Sequence, residues 1–224
     1  MRATALRCRI RLMRAGDIPQ VLDIERASFP TMWPQTVYQR ELKNSMARYF
    51  VAYEPDGATP ASLAGVPAAG ITGLVRRIIG SQPAELASDR ILGMAGLWFM
   101  VGEGHIVTIA VRPECRRMGL GEVLLIAALE AAVEAQQEEV TLEYRISNGA
   151  ARAMYDKYGF SQVGVRARYY TDNQEDAVMM TTPPLRSSEF RKLITQRVAE
   201  QRERWGGDYP LAGRTLRLVR STPP

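Results

Sequence analysis

The segment Arg116-Arg117-Met118-Gly119-Leu120-Gly121 holds the residues best suited to binding an anion. It stands between a β-rich run, 105–111, and a long apolar run, 121–136, whose leucines and alanines recur at helical intervals, so it reads as a strand-to-helix turn. Backbone N–H groups at the start of a helix have no intrahelical acceptor, and the aligned peptide dipoles place partial positive charge there. Gly119 and Gly121 remove side chains that would hold a phosphate away, and Arg116 and Arg117 add charge suited to a pyrophosphate. Taken alone, the segment reads equally well as a glycine-containing loop with two surface arginines. Two familiar phosphate loops are excluded by pattern. A Walker loop ends in Gly-Lys-Ser/Thr, but Gly121 is followed by Glu122; a dinucleotide fingerprint needs a third glycine or alanine where Leu124 stands.

Cys8 and Cys115 are the only cysteines and His105 the only histidine in 224 residues. A disulfide framework, a Cys/His zinc site and most Ser/His or Cys/His hydrolase schemes are thereby ruled out, and no metal is implied. With 46% hydrophobic and 24% charged residues the composition is that of a soluble globular chain, and its length suits one principal domain. The most apolar run, 123–135, is interrupted by Glu130 and falls short of the roughly 20 residues that cross a bilayer. Residues 1–13 scatter four arginines among apolar residues without the continuous apolar block of a secretion signal, so a cytoplasmic protein is expected. The net charge of +5 has one location: residues 181–224 carry nine basic and four acidic side chains, while the preceding 180 residues carry 20 of each. This basic tail reads either as a solvated helix or as a surface that touches something acidic such as RNA.

The elements that must position the loop follow from periodicity. Residues 7–13 and 49–53 read as strands, 18–29 as a helix capped by Asp17, and 36–46 as a second short helix. Prolines and glycines punctuate 55–89, an inserted excursion in which Ile71, Leu74, Val75, Ile78 and Ile79 have the spacing of a small amphipathic helix. Residues 91–101 and 105–111 form a hairpin about Gly102-Glu103-Gly104. The helix over 121–136 then crosses to a strand over 140–146, a right-handed connection that makes this strand parallel to 105–111. Asn148 caps a helix that Gly159 ends, 160–170 and 177–181 are the last strands, and 188–205 is one long charged helix with a narrow apolar stripe.

Several ordered motifs now agree: Ile109-Ala110-Val111, the Arg-Arg-Met-Gly-Leu-Gly loop, Leu142-Glu143-Tyr144-Arg145 with Ser147-Asn148, Met154-Tyr155, and Tyr158-Gly159-Phe160. Over roughly 9–182 the chain resembles the GCN5-related N-acetyltransferases (GNAT) of the RimI type, which acetylate the N-terminal alanine of a small-subunit ribosomal protein. Further words of that type are Ser28-Phe29-Pro30 with Trp33, and Arg168-Tyr169-Tyr170 followed by Glu175-Asp176-Ala177. The resemblance implies an α/β (α+β) fold: a central mixed, mostly antiparallel sheet with a parallel, splayed strand pair and flanking helices. Residues 1–184 would form this domain with its insert at 55–89, and 185–224 a basic, helical C-terminal extension; neither insert nor extension has a counterpart in the compact RimI domain.

The resemblance also implies the site. Acetyl-CoA would lay its pyrophosphate on Arg116, Arg117, Met118, Gly119, Leu120, Gly121 and Glu122, and its pantetheine arm along Ile109, Ala110 and Val111, with Asn148 as a further cofactor contact or simply a helix cap. Direct transfer to an amine requires a neutral amine, a stabilised oxyanion and a proton for the departing thiolate. Glu143 matches the family's general base and Tyr155 its general acid. Phe29, Trp33, Tyr169 and Tyr170 would border the peptide groove, with Glu175 or Asp176 attracting a basic peptide. Cys115 and His105 are assigned no catalytic role, His105 being structural or a minor substrate contact. The expected activity is acetylation of a protein N-terminus. The alternatives are a small amine or a lysine as acceptor, or a non-catalytic, acetyl-CoA-sensing module that binds RNA or the ribosome through the basic tail.

Overall fold

The two central strands, 103–111 and 139–145, alternate between buried and half-exposed positions, as strands of a sheet with a helix laid on it do. A computed structural model describes residues 8–30, 35–55 and 89–211. The strands are β1 (Arg9–Leu12), β2 (Ala47–Glu54), β3 (Arg90–Phe99), β4 (Glu103–Val111), β5 (Glu139–Arg145), β6 (Ser161–Tyr170) and β7 (Glu175–Thr181). The helices are α1 (Ile18–Arg26), α2 (Gln35–Glu41), α3 (Leu120–Glu134), α4 (Gly149–Lys157) and α5 (Ser188–Trp205). Among the described residues the strands form one seven-stranded sheet in the order β1-β2-β3-β4-β5-β7-β6. Every neighbouring pair is antiparallel except β4 and β5, which the α3 crossover makes parallel as its length requires. The last strand, β7, inserts between β5 and β6.

The two sheet faces carry separate cores. Ile18, Val21 and Ile24 of α1 and Tyr38 of α2 cover Tyr49, Val51, Ile91 and Met94 on one face. On the other face α3 lies over Leu92, Leu97, Ile106, Val140 and Leu142. A helix apolar all round must be buried all round. The outer side of α3 is covered by Phe190, Ile194 and Val198 of α5 and by Tyr209 and Leu211 beyond it, all within the same cluster. Residues of the basic tail thus share the main core, with Ser187 capping α5 by accepting the Phe190 N–H at 3.3 Å. The helix expected within the insert lies outside the described residues.

Two local features depart from the sequence reading or add to it. Asp17 does not cap α1: its buried carboxylate takes both Arg11 guanidinium nitrogens at 2.6 and 2.9 Å and the Arg14 N–H at 2.7 Å. The buried ion pair outcompetes the cap because Asp17 is fully enclosed and Arg11 supplies a bidentate partner. The parallel pairing of β4 with β5 runs from Glu103↔Glu139 to Ile106↔Leu142 and stops. At that point β4 bulges against β3, with Gly96 opposite Thr108 and Leu97 opposite Ile106, so that Val107 is the extra residue. A bulge bends and twists the strand that carries it. Beyond it β4 pairs with β3 only, while β5 continues along β7.

Candidate active site

The cleft between the parted strands begins at the anion loop. Arg117 has φ +64° and Gly119, the residue preceding α3, has φ +93° with no side-chain cap on the helix. The N–H groups of Leu120, Gly121 and Glu122 therefore open the helix without intrahelical acceptors. Side chains the sequence assigned to phosphate are occupied otherwise. Arg116 donates from Nε to the Val111 carbonyl at 3.1 Å and from Nη2 to Ser28 Oγ at 3.1 Å, tying the loop to β4 and to the end of α1. The Glu122 carboxylate takes Lys157 Nζ at 2.5 Å, Gln201 Nε2 at 2.8 Å and the Tyr158 hydroxyl at 2.9 Å. A Cβ at Gly119 would approach Gln201 and Arg204 of α5 at 3.2 and 3.3 Å, so Gly119 is needed for helix packing as well as for its backbone angle. A Cβ at Gly121 would meet only Met154 Sδ, at an ordinary 3.5 Å. Arg117 and Met118 are exposed.

These observations fit an acetyl-CoA site carried by backbone. The loop offers N–H groups and a helix N-terminus to a pyrophosphate. Ile109, Ala110 and Val111 pair with β3 on one side, opposite Ala95, Met94 and Gly93, and have no β5 partner on the other. Their free edge suits an amide-bearing arm.

The register of the parallel pair places His105 opposite Thr141, so Glu103, His105, Thr141 and Glu143 share one face of the sheet. Glu143 is 12% and His105 20% exposed, and His105 Nε2 lies 3.1 Å from Glu143 Oε2. The other Glu143 oxygen meets Arg166 Nη1 at 3.0 Å, and Arg166 is half exposed. His105 Nδ1 is 2.8 Å from Thr141 Oγ1, whose hydroxyl donates to Glu103. The two ring nitrogens of His105 thus face Thr141 and Glu143, each within hydrogen-bonding distance.

Tyr155 is buried on α4 against Tyr144, with ring centroids 5.9 Å apart, and Phe160, at 5.5 Å. Burial, reinforced by the neighbouring Tyr170 and Tyr144, pushes its phenol above the usual tyrosine range. Asn148 caps α4, its Oδ1 accepting from Ala151 N at 3.0 Å. Tyr169 is 45% exposed and edge-on to Tyr170, whose ring lies under the Arg145 guanidinium at 3.9 Å. Arg145 also pairs with Asp172 at 2.7 Å and with Glu175 at 3.3 Å, and Glu175 accepts the Ser147 N–H at 2.8 Å. Glu175 is thereby engaged in fastening the β6–β7 hairpin, and Asp176 accepts the Arg168 N–H at 2.8 Å. Phe29 follows α1 and packs partly buried on the core beneath it, while Trp33 lies outside the described residues. Burial raises the Cys115 thiol, in keeping with a structural role.

Sequence reasoning singled out Glu143, Tyr155 and the loop; the structure packs Tyr155 on Tyr144, the β5 residue facing away from Glu143, and sets His105, which sequence reasoning gave no catalytic role, beside Glu143. Its position was legible only through the register, because 38 residues separate it from Glu143.

The model of the acetyltransferase (GNAT) family matches residues 18–160. A Bacillus subtilis protein, provisionally named as a ribosomal protein bS18-alanine N-acetyltransferase, is 30% identical over 171 residues, covering 76% of this chain and 92% of that protein. An N-alpha-acetyltransferase of Sulfurisphaera tokodaii is 35% identical over 176 residues, 78% of this chain and 92% of that one. In fold, the crystal structure of the ribosomal-protein-S18-alanine N-acetyltransferase of Escherichia coli superposes with a TM-score of 0.58 at 23% identity, covering 79% of this chain and 94% of that one. With the parted strands, the uncapped helix N-terminus and the matched family segment in agreement, the chain belongs to the GNAT acetyltransferase family and is an N-acetyltransferase.

Proposed function

We propose that this protein transfers acetyl from acetyl-CoA to the α-amino group of a protein N-terminus, and that its acceptor is the N-terminal alanine of a small-subunit ribosomal protein. The names of the B. subtilis and S. tokodaii relatives support the acceptor class. The observation that carries the chemistry is the Glu143–His105 contact at 3.1 Å, on the sheet face where β4 and β5 part.

Acetyl-CoA, when bound, supplies an activated acyl carbon and a thiolate leaving group. The loop N–H groups hold its phosphates, and a backbone N–H on the open β4 edge polarises the thioester carbonyl. The entering amine displaces Arg166 from Glu143, and Glu143 accepts the proton that the nitrogen loses on bonding to the acyl carbon, directly or through one water. His105 Nε2 stays against the other Glu143 oxygen and fixes the orientation of the carboxylate. Tyr155 stays protonated because burial raises its phenol, and it donates a hydrogen bond to the sulfur as the C–S bond breaks. An α-amine with a pKa near 7.7–8.0 is about one-tenth neutral at pH 7, whereas a lysine near 10.4 is neutral less than about one time in a thousand. One carboxylate base therefore suits an N-terminus better than a lysine.

The test is CoA release with two peptides, one beginning Ala-Arg-Tyr-Phe with a free amine and one with that amine blocked and an internal lysine. Turnover confined to the free N-terminus is expected. Turnover on the blocked peptide would reassign the acceptor to lysine, and silence on both would refute protein N-terminal acetylation.

A further inference from the structure

The last turns of α5 stand against the anion loop, although α5 lies outside the segment matched by the family model. Arg204 Nη2 donates to the Arg117 carbonyl at 2.7 Å, and Arg204 Nη1 is 3.9 Å from the Glu122 carboxylate. One turn earlier Gln201, 1% exposed, donates from Nε2 to Glu122. Gln201 Oε1 is buried without a hydrogen-bond partner among the described residues, next to Gly119. The orientation that leaves this oxygen unpaired is the one that serves Glu122.

Two problems at the loop are solved by these contacts. Arg117 sits at a positive φ that L residues disfavour, so its peptide needs an outside hold. The peptide unit is planar and trans, so drawing the Arg117 carbonyl toward α5 turns the Met118 N–H to the opposite side, away from the helix. The second problem is charge: Glu122 lies in the first turn of α3, and an unneutralised carboxylate there would repel the anion that the helix N-terminus attracts. Lys157 and Arg204 offset it with charge, and Tyr158 and Gln201 with hydrogen bonds.

We propose that Arg204 is a positioning residue of the cofactor site: it presets the loop through the Arg117 carbonyl, so that the C-terminal helix sets the affinity for acetyl-CoA. This rests on reading residues 116–122 as the phosphate loop. It requires no contact between Arg204 and the cofactor.

The experiment compares the full chain with Arg204→Leu and Arg204→Lys, measuring kcat, KM for each substrate and calorimetric Kd for acetyl-CoA. Arg204 is 45% exposed, so both variants should fold. Arg204→Leu is expected to raise KM and Kd for acetyl-CoA about tenfold, as the loss of a charge-assisted hydrogen bond does. Its kcat at saturation and its KM for peptide should stay within about twofold. Lysine, which keeps charge and donor, should restore most of the affinity. Unchanged acetyl-CoA affinity in Arg204→Leu would overturn the proposal. So would a loss of kcat at constant KM that lysine does not restore, the pattern of a chain that merely folds less well. Absence of acetyl-CoA binding by the wild-type chain would refute the phosphate-loop reading itself, and the proposal with it.

Discussion

At the α3 end of the cleft Arg116, Glu122 and Arg204 are engaged by the surrounding protein, whereas at the β5 end the charged side chains engage one another. Arg116 is tied to Val111 and Ser28, Glu122 to Lys157 of α4, Tyr158 just after it and Gln201 and Arg204 of α5, and Arg204 to a loop carbonyl. What remains for a ligand there is the exposed Arg117 side chain and backbone, whose donors cost little to reorganise because the fold has already fixed them. Glu143, by contrast, divides its two oxygens between a partly buried histidine and a half-exposed arginine, a contact an incoming cation can replace. Rigidity at one end and exchangeable charge at the other separate binding from chemistry.

That separation is open to attack by mutation. The largest effect belongs to Glu143→Gln, which keeps shape and removes the proposed base; turnover should fall by about 10²–10⁴-fold, measured as CoA release at saturating substrates. A variant within threefold of wild type would place the base elsewhere. His105→Gln removes the partner that orients Glu143 but leaves the carboxylate, and a loss of about tenfold in kcat is expected, with KM for acetyl-CoA unmoved. Equal losses for the two variants would make His105 the base. Tyr155→Phe should cost about threefold to tenfold in kcat, since it removes one donor to the sulfur and keeps the buried ring.

The smallest effect concerns acid. Hydrogen bonds from Ser147, then from Asn173 and Arg145, hold the Glu175 carboxyl down to about 2 from its ordinary 4.5. Because the folded value is depressed, the tether it makes is complete above the ordinary value and is lost only as pH falls through about 2. The Ser147 amide proton should therefore keep its hydrogen-bonded chemical shift in NMR spectra from pH 7 down to about 3.5. A shift change centred near pH 4.5 would show that Glu175 does not hold the hairpin.

Local chemistry was readable from the chain wherever it depends on neighbours in sequence. The 188–205 helix, the Asn148 cap, the hairpin about Gly102 and the α3 crossover are cases where periodicity or a single residue decides. Pairing across the chain was not readable. Arg116 reaches Ser28, 88 positions away, and the Arg204–Arg117 contact spans 87. His105 enters the site only because the parallel register sets Thr141 opposite it; a slip by one residue would turn Glu143 to the other face. One sign of the α5 contact was present. Run 121–136 carries Leu, Ile, Val or Ala on more of its circumference than a sheet on one side can cover, and the stripe of Phe190, Ile194 and Val198 is the matching cover.

The most direct test of the division between the two ends is calorimetric titration of acetyl-CoA into the Glu143→Gln protein beside the wild type. A Kd within about twofold of wild type is expected, because in the proposed mechanism Glu143 serves the acceptor, and the proposed phosphate loop is built from other elements. A tenfold weaker Kd would contradict it and would make Glu143 part of the cofactor site.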